Sequence, residues 1–219
     1  MPVRIASVLC ICIALLVSCS TPKTGENTQT DDQVRAHAKE LADKYIIVDG
    51  HIDLPEVLKD KKYIAGVDSP DTIISTGKGE FDYTRAKQGG LDAPFMSIYI
   101  PVEYQAKKDN GKELADSLIN QVVTITKVLP DKFALANTPA EIEANTAAGK
   151  ISLPMGMENG APIGNDLANV KYFFDRGIRY ITLAHNKDNQ ICDASQDSLH
   201  TNKGLSPFGK QVVAEMNKY

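Results

Sequence analysis

"YIIVDGHIDLP", residues 45–55, decides how the chain is read. A β-branched run, Ile46-Ile47-Val48, stops at Asp49-Gly50, and His51 and Asp53 follow two residues apart. Asp-Gly is a hairpin-turn signal, and polar residues behind a strand are commonly loop. Geometry supplies the other reading. In an extended chain, residues two apart project to the same face, which would aim the imidazole and the carboxylate together. "IIVD" (46–49) itself reads as a strand covered on both faces, because it is apolar without alternation.

Working outward, "TDDQVRAHAKELADKY" (30–45) predicts a helix. Thr30 and Gln33 can form a capping box, and Val34, Ala38, Leu41 and Tyr45 recur at helical spacing. His37 lies beside that stripe and reads as packing or surface. Downstream, strand candidates fall at "APFMSIYIP" (93–101), "KFALANT" (132–138), "KISLPMGME" (150–158, weakened by Pro154) and "IRYITLAH" (178–185). Helices are expected between them. One spans 111–131 and is ended by Pro130. A second is capped by Thr138-Pro139-Ala140-Glu141 and runs to Gly149. A third spans 165–177, with Leu167, Val170 and Phe174 on one face and Gly177 as its stop. Ser206-Pro207 opens a last helix, with Val212, Val213 and Met216 on its inner face. Strictly alternating strands and helices imply a parallel sheet, as a (β/α) barrel or an open doubly wound sheet. Gly89-Gly90 precede a strand and follow none, so a dinucleotide-binding loop is unsupported.

Three strand candidates end in polar, metal-competent residues: His51 and Asp53, then Glu158, then His185. In a (β/α) barrel the C-terminal strand ends converge on one mouth. The expected cluster holds two imidazoles and two carboxylates, a donor set that suits zinc in an open site. Glu158, on a strand of its own, is the candidate to bridge two ions, which would share a water and lower its pKa. Asp49 reads as supporting the site or making a turn. Asn159, Asn186 and Asn189 read as loop hydrogen-bonders, and His200 as surface.

Over 219 residues, 24 Lys and Arg against 28 Asp and Glu give a net charge of −4, which argues against electrostatic binding of nucleic acid. A hydrophobic content of 42% suits a globular protein with a core. Residues 1–18 read as a secretory signal: Arg4, then an apolar stretch from Ile5 to Val17. Leu16-Val17-Ser18-Cys19 resembles a bacterial lipobox, which implies cleavage before Cys19 and lipidation of its thiol. Residues 19–32 would then be a polar tether. The body would sit in the bacterial cell envelope, lipid-anchored to a membrane and facing outside the cytoplasm. Cys10 and Cys12 leave with the signal, so Cys192 is the one body cysteine, and neither an internal disulfide nor a Cys-rich zinc site can form.

"VDGHIDLP", "GGLDAPFMSIYIP", "GMENG", "GIRYITLAHNKDN" and "GLSPFGKQVVAEMN" occur in that order and together resemble the renal (membrane) dipeptidase family of zinc peptidases. The resemblance implies a TIM barrel of the amidohydrolase-like type and hydrolysis of dipeptides with two zinc ions, many members accepting a D-residue on the C-terminal side. It implies that His51 and Asp53 ligate one zinc, that Glu158 bridges both, and that His185 acts on the substrate side without ligating. The family completes its second zinc with two later histidines, and binds the substrate carboxylate with a later arginine. Residues 33–219 are therefore expected to be the N-terminal part of such a barrel, about five of eight β/α units, and inactive alone. Two other readings are another amidohydrolase-type hydrolase and a non-catalytic lipid-anchored binding protein. Many amidohydrolases open with His-x-His, and His-x-Asp here favours the dipeptidase. Homodimer formation stays open.

Overall fold

The computed structural model describes residues 30–219. The signal expected at 1–18 and the lipidated Cys19 lie outside the described residues. So does the tether, save for its last three positions. The elements in chain order are α1 (Asp31–Lys44), β1 (Ile47–Ile52), α2 (Leu54–Asp60), α3 (Asp71–Ile74), α4 (Tyr83–Gly89), β2 (Leu91–Tyr99), α5 (Lys112–Val128), β3 (Phe133–Leu135), α6 (Pro139–Ala147), β4 (Ile151–Leu153), β5 (Met155–Glu158), α7 (Ala168–Asp175), β6 (Ile178–Thr182) and α8 (Pro207–Met216). Strands β1, β2, β5 and β6 form one sheet in that order, and β3 pairs with β4. Every one of these pairings is parallel. A sheet laid down in chain order with helices between its strands is an incomplete (β/α) barrel.

The core lies between this sheet and its helices. Met96, Ile98, Ile100, Met155 and Met157 are buried on the outer face. They belong to the same cluster as Leu118, Ile119, Val122 and Ile125 of α5 and Val170 and Phe173 of α7. The predicted capping boxes of α1 and α6 both form, through Thr30 with Gln33 and Thr138 with Glu141.

Several local expectations differ from the structure. The fourth strand is split into β4 and β5 at Pro154, which has no N–H to give to a ladder. β1 is not covered on both faces: it is the edge of the sheet, with Ile47 37% and Val48 49% exposed. The α1 stripe stays at the surface too, Val34, Leu41 and Tyr45 being exposed, and α1 buries no residue. Finally, α2, α3 and α4 are helices beyond those expected. α4 had visible signals: Asp82 caps its start by accepting from Arg85 N at 2.9 Å, and Gly90 ends it with φ +76°.

Candidate metal centre

Chain direction puts the C-terminal ends of β1, β5 and β6 on one rim. His51 lies within β1, and Glu158 is the last residue of β5. Asp53 occupies the N-cap position of α2, yet its side chain makes no capping hydrogen bond, so its carboxylate is available to the rim. His185 sits three residues beyond the end of β6, in the following loop rather than on the strand.

These side chains meet. His51 Nε2 lies 3.1 Å from Asp53 Oδ1 and 3.2 Å from Glu158 Oε2. His185 Nε2 lies 3.0 Å from the other oxygen, Glu158 Oε1. Glu158 therefore presents one oxygen to each imidazole. Ser97 Oγ also donates to Oε2 at 3.2 Å, which helps hold the carboxylate plane. One ligand atom each from His51, Asp53 and Glu158 lie within 4.8 Å of one another. One imidazole nitrogen with two carboxylate oxygens at that separation fits a divalent cation. His185 is outside this trio, and its Nδ1 is buried without a hydrogen-bond partner. The His185 ring meets the Tyr99 ring edge-on at 5.1 Å.

The rim is electronegative, and its neighbours register this. Burial and then the Glu158, Asp53 and Asp49 carboxylates push the Tyr180 phenol up to about 12. Tyr99 is raised by burial and by Glu56, Glu158, Glu103 and Asp53. Glu56 is raised by burial and by Asp60, Asp53 and Glu158, against an opposing Lys59. Such a concentration of negative charge draws cations. A cavity of about 520 Å³ opens beside it, lined in part by His51, Asp53, Lys61, Lys78 and Phe81.

Register explains why three strands can cooperate. Ser97, Gly156 and Tyr180 form one row across β2, β5 and β6, and Tyr99, Glu158 and Thr182 form a second. Ser97 and Tyr180 were missed as site residues, although period two along "FMSIY" and "RYIT" was the available signal. Asn159, expected only as a loop hydrogen-bonder, is fully buried with φ +80° and acts as a hub. Its Nδ2 donates to Ile100 O and Gln105 Oε1, and its Oδ1 accepts from Ala161 N and Asn189 Nδ2. Asn189 Nδ2 also donates to Leu183 O, which ties the Glu158 turn to the His185 loop.

Asp49 turns its carboxylate to the His51 amide at 2.9 Å, a turn role as expected. His37 is exposed beside Glu40. His200 is exposed, and with Asp188 and Asp193 forms a second group of close donors. Those two carboxylates already accept backbone amides from Ala194, Thr201, Asn202 and Gly204, which makes them organisers of that loop. Among the described residues no helix is long and apolar enough to cross a membrane.

The chain resembles an uncharacterized dipeptidase of Schizosaccharomyces pombe, at 30% identity over 78% of this chain and 44% of that protein. It also resembles dipeptidase ataJ of Aspergillus terreus, at 28% over 80% of this chain and 43% of the relative. It thus spans less than half the length of these curated relatives. Among solved structures, the probable dipeptidase PvdM from Pseudomonas aeruginosa superposes with a TM-score of 0.73 at 24% identity, over 86% of this chain and 48% of that one. A metallo peptidase from Rhodobacter sphaeroides, liganded with a phosphinate mimic of the dipeptide L-Ala-D-Ala, gives 0.65 at 22%, over 79% and 56%. Residues 35–219 match the family described as Membrane dipeptidase (Peptidase family M19), and with that match the chain belongs to the M19 metallodipeptidases, a hydrolase family.

Proposed function

We propose that this chain contributes the first metal-binding strands of a zinc-dependent dipeptidase of the cell envelope. The observation that carries this reading is the convergence of His51, Asp53 and Glu158 donor atoms on one rim of a parallel sheet. A divalent ion held there supplies Lewis acidity for attack on a peptide carbonyl. His51 and Asp53, together with Glu158, would hold one ion, and the Glu158 carboxylate is the group that could serve a second. His185, its Nε2 beside Glu158, would lie on the substrate side and, once released from Glu158, could stabilise the oxygen that gains negative charge as the peptide bond is attacked. The Tyr99 ring keeps that imidazole upright. Ser97 keeps Glu158 from rotating away.

The substrate class is a dipeptide, with a D-residue tolerated on the C-terminal side. The likeness to a peptidase holding an L-Ala-D-Ala mimic supports this. Among the described residues the trio offers donors for one ion. The trio gives the 219-residue chain a candidate site for one zinc ion. The Leu16-Val17-Ser18-Cys19 segment supports a lipid anchor at Cys19, which places the site at a membrane surface outside the cytoplasm.

Zinc titration by calorimetry tests the reading. The chain is expected to take up zinc in a saturable way, and the double variant His51→Ala/Asp53→Ala to lose that uptake. Equal uptake by both proteins would remove the centre from this rim.

A further inference from the structure

We infer that Tyr180 is a positioning residue that selects the tautomer of His51, and so hands the Nε2 lone pair to the rim. The inference rests on the metal reading above for its purpose, though not for its geometry. The Tyr180 hydroxyl lies 3.0 Å from Gly50 O and 3.2 Å from His51 Nδ1. A carbonyl can only accept, so the single phenolic hydrogen goes to Gly50. The phenol oxygen then faces Nδ1 as an acceptor, and Nδ1 must carry the imidazole proton. Nε2 faces Asp53 Oδ1 at 3.1 Å and Glu158 Oε2 at 3.2 Å, and with Nδ1 carrying the neutral ring's proton its lone pair is the one a cation at the rim would take. Three electron-rich atoms facing one another are stable around a cation and costly without one. The hydrogen bond made by the remote nitrogen of a histidine is what decides which nitrogen meets a metal.

The rest of the sheet is shaped to admit this phenol. Tyr180 is on β6 and His51 on β1, opposite edges of the four-stranded sheet, so the ring must cross the strands between. Gly156 lies in the same row, and a Cβ there would sit 2.0 Å from Tyr180 Cζ. A residue with any side chain would therefore close the path. Phe95 packs against the ring, with centroids 5.4 Å apart. The same hydroxyl also grips the backbone of β1 at Gly50, which ties the exposed edge strand to the far side of the sheet.

The test is ¹⁵N NMR of the histidine rings in the full 219-residue chain, metal-free and at mildly alkaline pH, with zinc titrations alongside. Wild type is expected to show His51 protonated at Nδ1. Tyr180→Phe keeps the ring over Gly156 and removes the hydroxyl. It should shift His51 toward the Nε2–H form and weaken zinc binding about 10- to 100-fold. Absence of an Nδ1–H signal for His51 in wild type overturns the inference, as does an unchanged Nδ1–H signal or zinc affinity in the variant. If wild type takes up no zinc while its Nδ1–H signal is present, the metal reading fails and the Tyr180–His51 lock stands. Should Tyr180→Phe fail to fold, the wild-type tautomer by itself decides.

Discussion

His185 Nε2 lies 3.0 Å from Glu158 Oε1, while Glu158 Oε2 is turned to His51. One carboxylate thus links a loop after β6 to an edge strand, and its loss should be felt on both sides. Glu158→Gln is expected to lower zinc affinity at least tenfold. The metal-free melting temperature should hold level or rise, because an amide still accepts from Ser97 and no longer repels Asp53. Calorimetry and circular dichroism melts read the two effects. Undiminished zinc affinity would exclude Glu158 as a ligand.

Asn159 bears the turn that aims Glu158. Asn159→Ala leaves Gln105, Asn189 and two backbone groups without their partner, in a buried site with φ +80°. The expected cost is about 2–4 kcal/mol, from unsatisfied buried polar groups and left-handed strain. Urea unfolding measures it. A loss below about 0.5 kcal/mol, the range of an ordinary surface change, would show that the hub does not hold the turn.

Gly156→Ala places a methyl group 2.0 Å from the Tyr180 ring. Overpacking of this kind costs about 1–3 kcal/mol. It should also weaken zinc binding, because the displaced phenol releases His51. Stability and zinc affinity falling together is the expected pattern. A destabilised protein with unaltered zinc affinity would separate Tyr180 from the metal site.

Asp82 predicts a pH dependence. Burial alone would raise its carboxyl, but hydrogen bonds from the Arg85 amide and guanidinium and the Gly77 amide outweigh it and hold the carboxyl below its ordinary value of 3.8. A depressed folded-state pKa gives stability that is present above the unfolded value and lost as pH falls through the folded one. Wild type should therefore exceed Asp82→Asn in unfolding free energy at neutral pH, with the gap shrinking as pH drops below 3.8. A gap that does not change with pH would assign the difference to packing.

Much of the fold is legible in the sequence alone. Period and caps located α1, α5, α6, α7 and α8, because capping and amphipathic spacing are local. Alternation of strand and helix dictated a parallel sheet. Polar strand ends named His51, Asp53 and Glu158, since C-terminal ends of parallel strands must share a rim. Short helices such as α2 and α3 carry too few turns for a period to show.

What only the tertiary structure decided is which groups touch across the sheet. Ser97 reaches Glu158, Tyr180 reaches His51 from 129 positions away, and Asn159 joins the loops around both. Those pairs follow from strand register and from the space left by Gly156, and neither is written in any local pattern. The same holds for exposure: an apolar run such as Ile46-Ile47-Val48 says that a strand forms, but the sheet's order alone places it at the edge.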